Sequence, residues 1–233
     1  MKDISKIHVY FVPGLAAKPT IFEKIQLSEE KFTVHWLDWI LPEKNESLQH
    51  YAQRMCHGIT NENIVLIGVS FGGVLVQEMQ KIIKVQRCII ISSVKSRAEL
   101  PLRFKIARQT GLYKIIPTSL ASHTDIFEKL AVGHFAKVRA KLYKKYLAMT
   151  DVRYLDWAIE KMVCWDQTEP LPGLVHIHGN ADIVFPYKNI GECITVPGGT
   201  HIMIVMRYKW FNENLEEIIL TGSMEKTDNI KYI

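Results

Sequence analysis

Six short apolar runs alternate with stretches of helical periodicity, and no other feature of the 233-residue chain constrains its fold as strongly. The runs are IHVYFV at 7–12, FTVHWLDW at 32–39, NIVLIGV at 63–69, RCIIISS at 87–93, LVHIHG at 174–179 and ECITVPG at 192–198. Nearly continuous apolar strands separated by helices imply a mostly parallel sheet covered on both faces. Between the runs, Phe22–Ile25 reads as a short helix. From Glu46 to His57, Leu48, Tyr51, Ala52 and Met55 fall at i, i+3, i+4 and i+7, a single apolar stripe, with Asn45 as the expected N-cap. Gly72 to Lys84 predicts a helix with Leu75, Met79, Ile82 and Ile83 inward, and a last helix runs from about His201 to Leu220. The fold class expected is α/β: three layers, with a six-stranded sheet in the middle.

The rhythm breaks between residues 95 and 165, which carry helical patterns and no strand. Phe135, Val138, Leu142 and Tyr146 form one stripe, with Lys137, Lys141, Lys144 and Lys145 on the opposite face. Leu155, Ile159 and Met162 make a further helix, and Pro170 and Pro172 close the segment. Its charge is unusual. Residues 95–150 hold twelve Lys and Arg against three acids, so the net +5 of the whole chain belongs to this part and the remainder is net acidic. The expected organisation is one domain over 1–220, with 95–165 inserted into it, followed by a polar tail at 221–233.

Four cysteines, Cys56, Cys88, Cys164 and Cys193, show neither a CxxC pair nor zinc-ligand spacing, and read as reduced thiols. Pro13-Gly14 interrupts the N-terminal apolar run, which also contains His8, so a buried strand explains it better than a secretory signal. No stretch approaches the ~20 apolar residues that span a bilayer. A cytoplasmic location is the default expectation.

In parallel sheets ligands bind beyond the C-terminal ends of the strands. After the third run stands Gly68-Val69-Ser70-Phe71-Gly72-Gly73, a G-x-S-x-G between a strand and a helix. A serine on so sharp a turn leaves no room for side chains two residues before and after it, which gives Gly68 and Gly72 a physical reason. The helix that follows directs its first N–H groups at any anion forming there. The plainer reading is a tight β–α turn with an N-capping serine.

With this elbow, the chain from Ile7 to about Leu220 resembles the α/β-hydrolase superfamily. The family keeps an acid after a late strand, often in an H-G-x-x-D string. His178-Gly179-Asn180-Ala181-Asp182 fits, so the resemblance implies Asp182 as the acid, with Glu99 and Asp38 as rivals. The family's base follows the last strand behind glycine, which implies His201 in Gly198-Gly199-Thr200-His201. The order Ser, Asp, His is the order the family uses. His176 and His178 are expected to orient loops or fill a strand end. His123 and His134 are weaker candidates to approach the site. The loop Pro13-Gly14-Leu15-Ala16 stands where members often have His-Gly, and the resemblance implies oxyanion donors at the Leu15 and Phe71 N–H groups. Two departures mark a trimmed form: the family's two leading antiparallel strands are missing, and Asp182 lies close to His201 in sequence. The segment 95–165 falls where the family places its helical cap.

These readings imply a serine hydrolase cleaving an ester or thioester through an acyl-enzyme, with Ser70, His201 and Asp182 as triad. No metal or organic cofactor is implied, and no nucleic-acid partner. The substrate is expected to be a small acyl compound; an anionic acyl-CoA or acyl-carrier thioester would suit the basic insertion, whose lysines otherwise form a solvated face. The alternatives are other chemistry on the same triad (acyl transfer, C–C hydrolysis, lyase or peptidase) and a non-catalytic binding protein of the same fold. Neither substrate identity nor oligomeric state is readable.

Overall fold

A computed structural model describes residues 6–118, 145–146 and 149–224. Six strands form one sheet: β1 (Ile7–Val12), β2 (Phe32–Trp36), β3 (Ile64–Val69), β4 (Arg87–Ile91), β5 (Leu174–Gly179) and β6 (Ile194–Val196). Their order is β2-β1-β3-β4-β5-β6, and every neighbouring pair is parallel. The sheet is thus wholly parallel, where the sequence argued for mostly parallel. The chain steps from β1 outward to β2 and then returns to lay β3 on the other side of β1. That reversal opens a crevice at the C-terminal ends of β1 and β3, where open α/β sheets bind ligands.

Alternation along the strands divides the core in two. Tyr10, Val12, Leu66, Cys88 and Ile90 face one layer; Val9, Phe11, Val65, Ile67, Ile89, Ile91 and Ile177 face the other. All six residues of β3 are buried, because helices cover both of its faces. The first layer is α1 (Leu48–Cys56), α2 (Phe71–Gln80) and, from the segment between β4 and β5, α4 (Val152–Cys164); α3 (Leu102–Thr110) precedes α4 in that segment. The second layer is α5 (Met203–Met206) and α6 (Tyr208–Thr221).

Four local expectations change. The first short helix is a 3₁₀ turn over Pro19–Phe22, opened by Pro19 at its first position rather than beginning at Phe22. α1 is capped by Ser47, whose Oγ accepts the His50 N–H at 3.1 Å, while Asn45 turns the chain at φ 57° two residues earlier. α2 ends at Gln80, so Ile82 lies past the helix and is exposed; Ile83 packs on the core. The last helix is broken at Arg207, and the break lets Met203 and Ile204 share a core with the Phe211, Leu215, Ile218, Ile219 stripe.

Of the stripe expected at 135–146, Phe135, Val138 and Leu142 lie outside the described residues, as do His123, His134, Lys137, Lys141 and Lys144; Tyr146 is buried. α4 is moored by aromatic packing. Trp157 stacks obliquely on Tyr51 at 4.3 Å and donates its indole N–H to the Glu46 carbonyl at 2.9 Å, and Tyr154 lies 5.4 Å from Trp39. All four cysteines are free. Among the described residues no helix is long and apolar enough to cross a membrane.

Candidate active site

Ser70 ends the β3 run and opens α2 with φ 54° and ψ −119°, a conformation that costs an L-residue of order 1–3 kcal/mol. Its backbone is held on both sides. The Ser70 N–H donates to the Ile91 carbonyl at 2.9 Å, and its carbonyl accepts the Ser93 hydroxyl at 2.7 Å and the Gly73 N–H at 2.9 Å. The glycines of the elbow are required by contact. A Cβ on Gly68 would run into the Gly72 carbonyl, and a Cβ on Gly72 into the Pro13 carbonyl. Gly72 therefore lets the β1 loop close onto the elbow, where even a Cβ on Gly14 would reach van der Waals range of the Ser70 Cβ.

The other two residues arrive on loops that touch through glycine. A Cβ on Gly179 would meet the Gly199 backbone, and the Ala181 N–H donates to the Gly199 carbonyl at 2.9 Å. This backbone-on-backbone packing brings the turn after β5 against the turn after β6. Asp182 is buried. Its Oδ1 accepts the N–H groups of Val184 at 2.7 Å and Phe185 at 3.0 Å, and its Oδ2 lies 2.9 Å from His201 Nδ1. His201 Nε2 lies 2.9 Å from Ser70 Oγ. A carboxylate only accepts, so Nδ1 donates to it, and Nε2 is left to accept the Ser70 hydroxyl proton.

The rival acids sit elsewhere. Glu99 accepts the Lys95 N–H at 2.7 Å and the Gly191 N–H at 2.9 Å, which ties the loop after β4 to the loop before β6. Asp38 accepts the N–H of its neighbour Trp39. His176 and His178 are buried at the end of β5.

Two N–H groups near the serine in sequence or packing are without an acceptor among the described residues. Phe71 is the first residue of α2 and so has no intrahelical acceptor. In the β1 loop, Ala16, Ala17 and Lys18 all donate to protein oxygens, while Leu15 N–H has no partner among the described residues. Nothing in the sequence pointed to Ser93, and Gly179 and Gly199 stood in the two motif strings with no sign that they touch.

Two cavities of about 420 Å³ each meet at Ser70. One runs along His201 and is walled by Ala17, Ile21, Ile202, Ile204 and Val205. The other lies beneath α3 and α4, walled by Phe71, Phe104, Tyr113, Met162 and Phe185, with Arg103 at its edge. Leu15, Ser70 and Val184 border both. As for metal ligands, Glu43, Glu46 and His50 cluster among the described residues. Glu46 is already taken by Arg54 at 2.8 Å and by His50 at 2.7 Å, so a cation holds that position from within the protein.

No protein-family model and no curated protein sequence matches the chain. Solved structures do. A carboxylesterase of the thaumarchaeon Nitrososphaera gargenis superposes with a TM-score of 0.65 at 16% identity, over 96% of this chain and 94% of that one. A thermophilic esterase from Thermogutta terrifontis gives 0.63 at 14%, over 93% and 90%. A bromoperoxidase from Bacillus anthracis gives 0.62 at 16%, over 92% of each chain.

Proposed function

From the α/β-hydrolase fold that this chain adopts, we propose that it is a serine hydrolase acting on uncharged carboxylic esters or thioesters. One observation carries the reading: Ser70 Oγ, His201 and Asp182 lie in a hydrogen-bonded row at 2.9 Å and 2.9 Å, with the serine on a positive-φ turn. A binding protein has no need of that row or of the strained backbone. In the reaction, Ser70 Oγ attacks the acyl carbon and His201 Nε2 takes its proton. Asp182 holds the Nδ1–H tautomer and stabilises the imidazolium. The Leu15 and Phe71 N–H groups stabilise the oxyanion, each such donor being typically worth ~3–4 kcal/mol. His201 returns the proton to the leaving oxygen or sulfur, and water, activated by the same imidazole, cleaves the acyl-enzyme.

The proton must reach the leaving atom from His201, so the leaving group belongs in the cavity along His201, Ile202, Ile204 and Val205. The acyl group then enters the cavity floored by Phe71 and roofed by α3 and α4, the part of 95–165 that acts as a cap. Both walls are mainly apolar, which supports hydrocarbon on each side of the scissile bond. A second reading, an anionic acyl-CoA or acyl-carrier thioester, draws on the basic excess of residues 95–150. The test is labelling by a fluorophosphonate together with a panel of p-nitrophenyl esters and acyl-CoAs. Labelling and turnover that vanish in S70A are expected; a protein that takes no label and turns over nothing on the panel ends the proposal.

A further inference from the structure

Two histidines take no part in the chemistry above, yet they are among the most deeply buried polar side chains of the protein. His176 and His178 project from the same face of β5, with His176 Nε2 3.1 Å from His178 Nδ1. His178 Nε2 lies 2.9 Å from the Phe185 carbonyl oxygen and 3.6 Å from Asp182 Oδ2. That carboxylate oxygen is the one bonded to His201. His176, His178, Asp182, His201 and Ser70 therefore stand in one continuous row.

Donor and acceptor roles along the row follow from the one group with no choice. A carbonyl only accepts, so His178 Nε2 carries the proton. Burial is the largest influence on both rings and holds both below the ordinary histidine range, which keeps them neutral. Around His178, the Asp182 and Glu99 charges pull upward and His201 pulls downward; around His176, His178 and Lys95 pull downward. A neutral His178 protonated at Nε2 offers Nδ1 as an acceptor, so His176 must donate from its own Nε2. His176 Nδ1 is then a lone pair, which agrees with its having no hydrogen-bond partner, while the Ser93 backbone pulls the ring's pKa upward against burial.

Phe185 is thereby held at both ends, its N–H by Asp182 Oδ1 and its carbonyl by His178. We propose that His178 is a positioning residue for Asp182. Its Nε2–H clamps the Phe185 carbonyl, so the 182–185 turn keeps two N–H groups on Oδ1 and leaves Oδ2 to His201, while His176 donates to the Nδ1 lone pair that this tautomer leaves. The catalytic consequence rests on the hydrolase reading; the clamp itself does not.

Glutamine and asparagine separate this role from simple filling of space, because a Gln amide nitrogen reaches the position of Nε2 and an Asn amide nitrogen that of Nδ1. On a p-nitrophenyl ester, H178Q should keep kcat within about threefold of wild type, and H178N should lose about 10–100-fold with KM little changed, the usual effect of removing a residue that orients a reacting one. The downfield proton NMR signal of His201 Nδ1–H should persist in wild type and H178Q and shift upfield in H178N. In wild type, ¹⁵N shifts should show His178 protonated at Nε2 alone. The proposal is overturned if His178 carries its proton on Nδ1 or is an imidazolium at pH 7.5. It is equally overturned if H178N matches H178Q in kcat and in the His201 signal. Should neither variant fold, the wild-type ¹⁵N shifts decide. A wild-type protein that cleaves no ester and takes no fluorophosphonate sinks the hydrolase reading instead, and the NMR measurements still judge the clamp.

Discussion

Ser70 shows how a single residue comes to depend on its neighbours. Its φ of 54° persists because three backbone hydrogen bonds and two glycines leave the turn no relaxed alternative. The acid can be tested by ranking. Asp182→Asn presents an amide to His201 Nδ1 and favours the wrong tautomer, so kcat should fall by roughly 10⁴. Glu99→Gln should leave kcat near wild type, because that side chain serves Lys95 and Gly191. It should still lower stability by about 1–3 kcal/mol, the usual cost of disturbing a buried, charge-assisted hydrogen bond. Steady-state kinetics and urea unfolding of both variants check this, and the opposite ranking in kcat would move the acid to the loop after β4.

The next scale is the element, and here the packing of loops decides. The turns after β5 and β6 approach so closely that Gly179 faces Gly199 with no room for a Cβ. Gly179→Ala should push the turns apart, weaken the Asp182–His201 hydrogen bond, and cost about 1–3 kcal/mol through overpacking. Activity should fall more than stability alone explains at a temperature where the variant remains folded. Equal kcat for the two proteins would mean that the turns tolerate separation. At the start of α1, Ser47→Ala should cost about 1 kcal/mol by removing the cap on His50 N–H, whereas Asn45→Ala should not act through a cap. Thermal unfolding of the pair settles which residue caps the helix. By residue type Asn45 and Ser47 are both good caps; only the path of the chain selects Ser47.

At the scale of the whole molecule, charge and protonation reach beyond single contacts. His176 and His178 have folded-state pKa values below those of the unfolded chain, where histidine titrates near ~6.5. As pH falls through that value the unfolded state takes up protons that the folded state refuses. Their contribution to stability is complete above about pH 6.5 and declines below it, by up to about 1.4 kcal/mol per pH unit for each ring. Denaturant unfolding between pH 8 and 5 should show this loss before the carboxylates titrate, and His178→Gln should reduce it to the share of His176. A wild-type stability unchanged across that span would contradict neutral buried rings.

The basic excess acts on the same scale. Lys95 is paired with Glu99 and Lys145 with Glu23, while Arg103, Lys105 and Arg108 donate to backbone carbonyls of Val184, Ala98 and Trp165. Bonding to carbonyls leaves a cation's field in place, so on the second reading, an anionic acyl-CoA or acyl-carrier thioester, these cations would steer the substrate. With acyl-CoA, kcat/KM should fall as ionic strength rises, while a neutral ester should barely respond. Identical salt responses would reduce these side chains to a structural role.

The sequence by itself determined the parallel sheet and the serine elbow. Both are local: continuous apolar runs of strand length have few ways to be buried, and a G-x-S-x-G between strand and helix is a backbone constraint written in neighbouring residues. With the family resemblance, it also pointed to Asp182 and His201 through short strings behind the last two strands. Tertiary structure alone brings Asp182 and not Glu99 to His201 Nδ1, since both follow strands and both are buried, and only the path of the loops separates them. It alone revealed Ser93 on the Ser70 carbonyl, the meeting of Gly179 with Gly199, and the two cavities at Ser70. These depend on contacts between residues about 20 to more than 100 positions apart, whose chemistry is ordinary until the sheet sets them side by side.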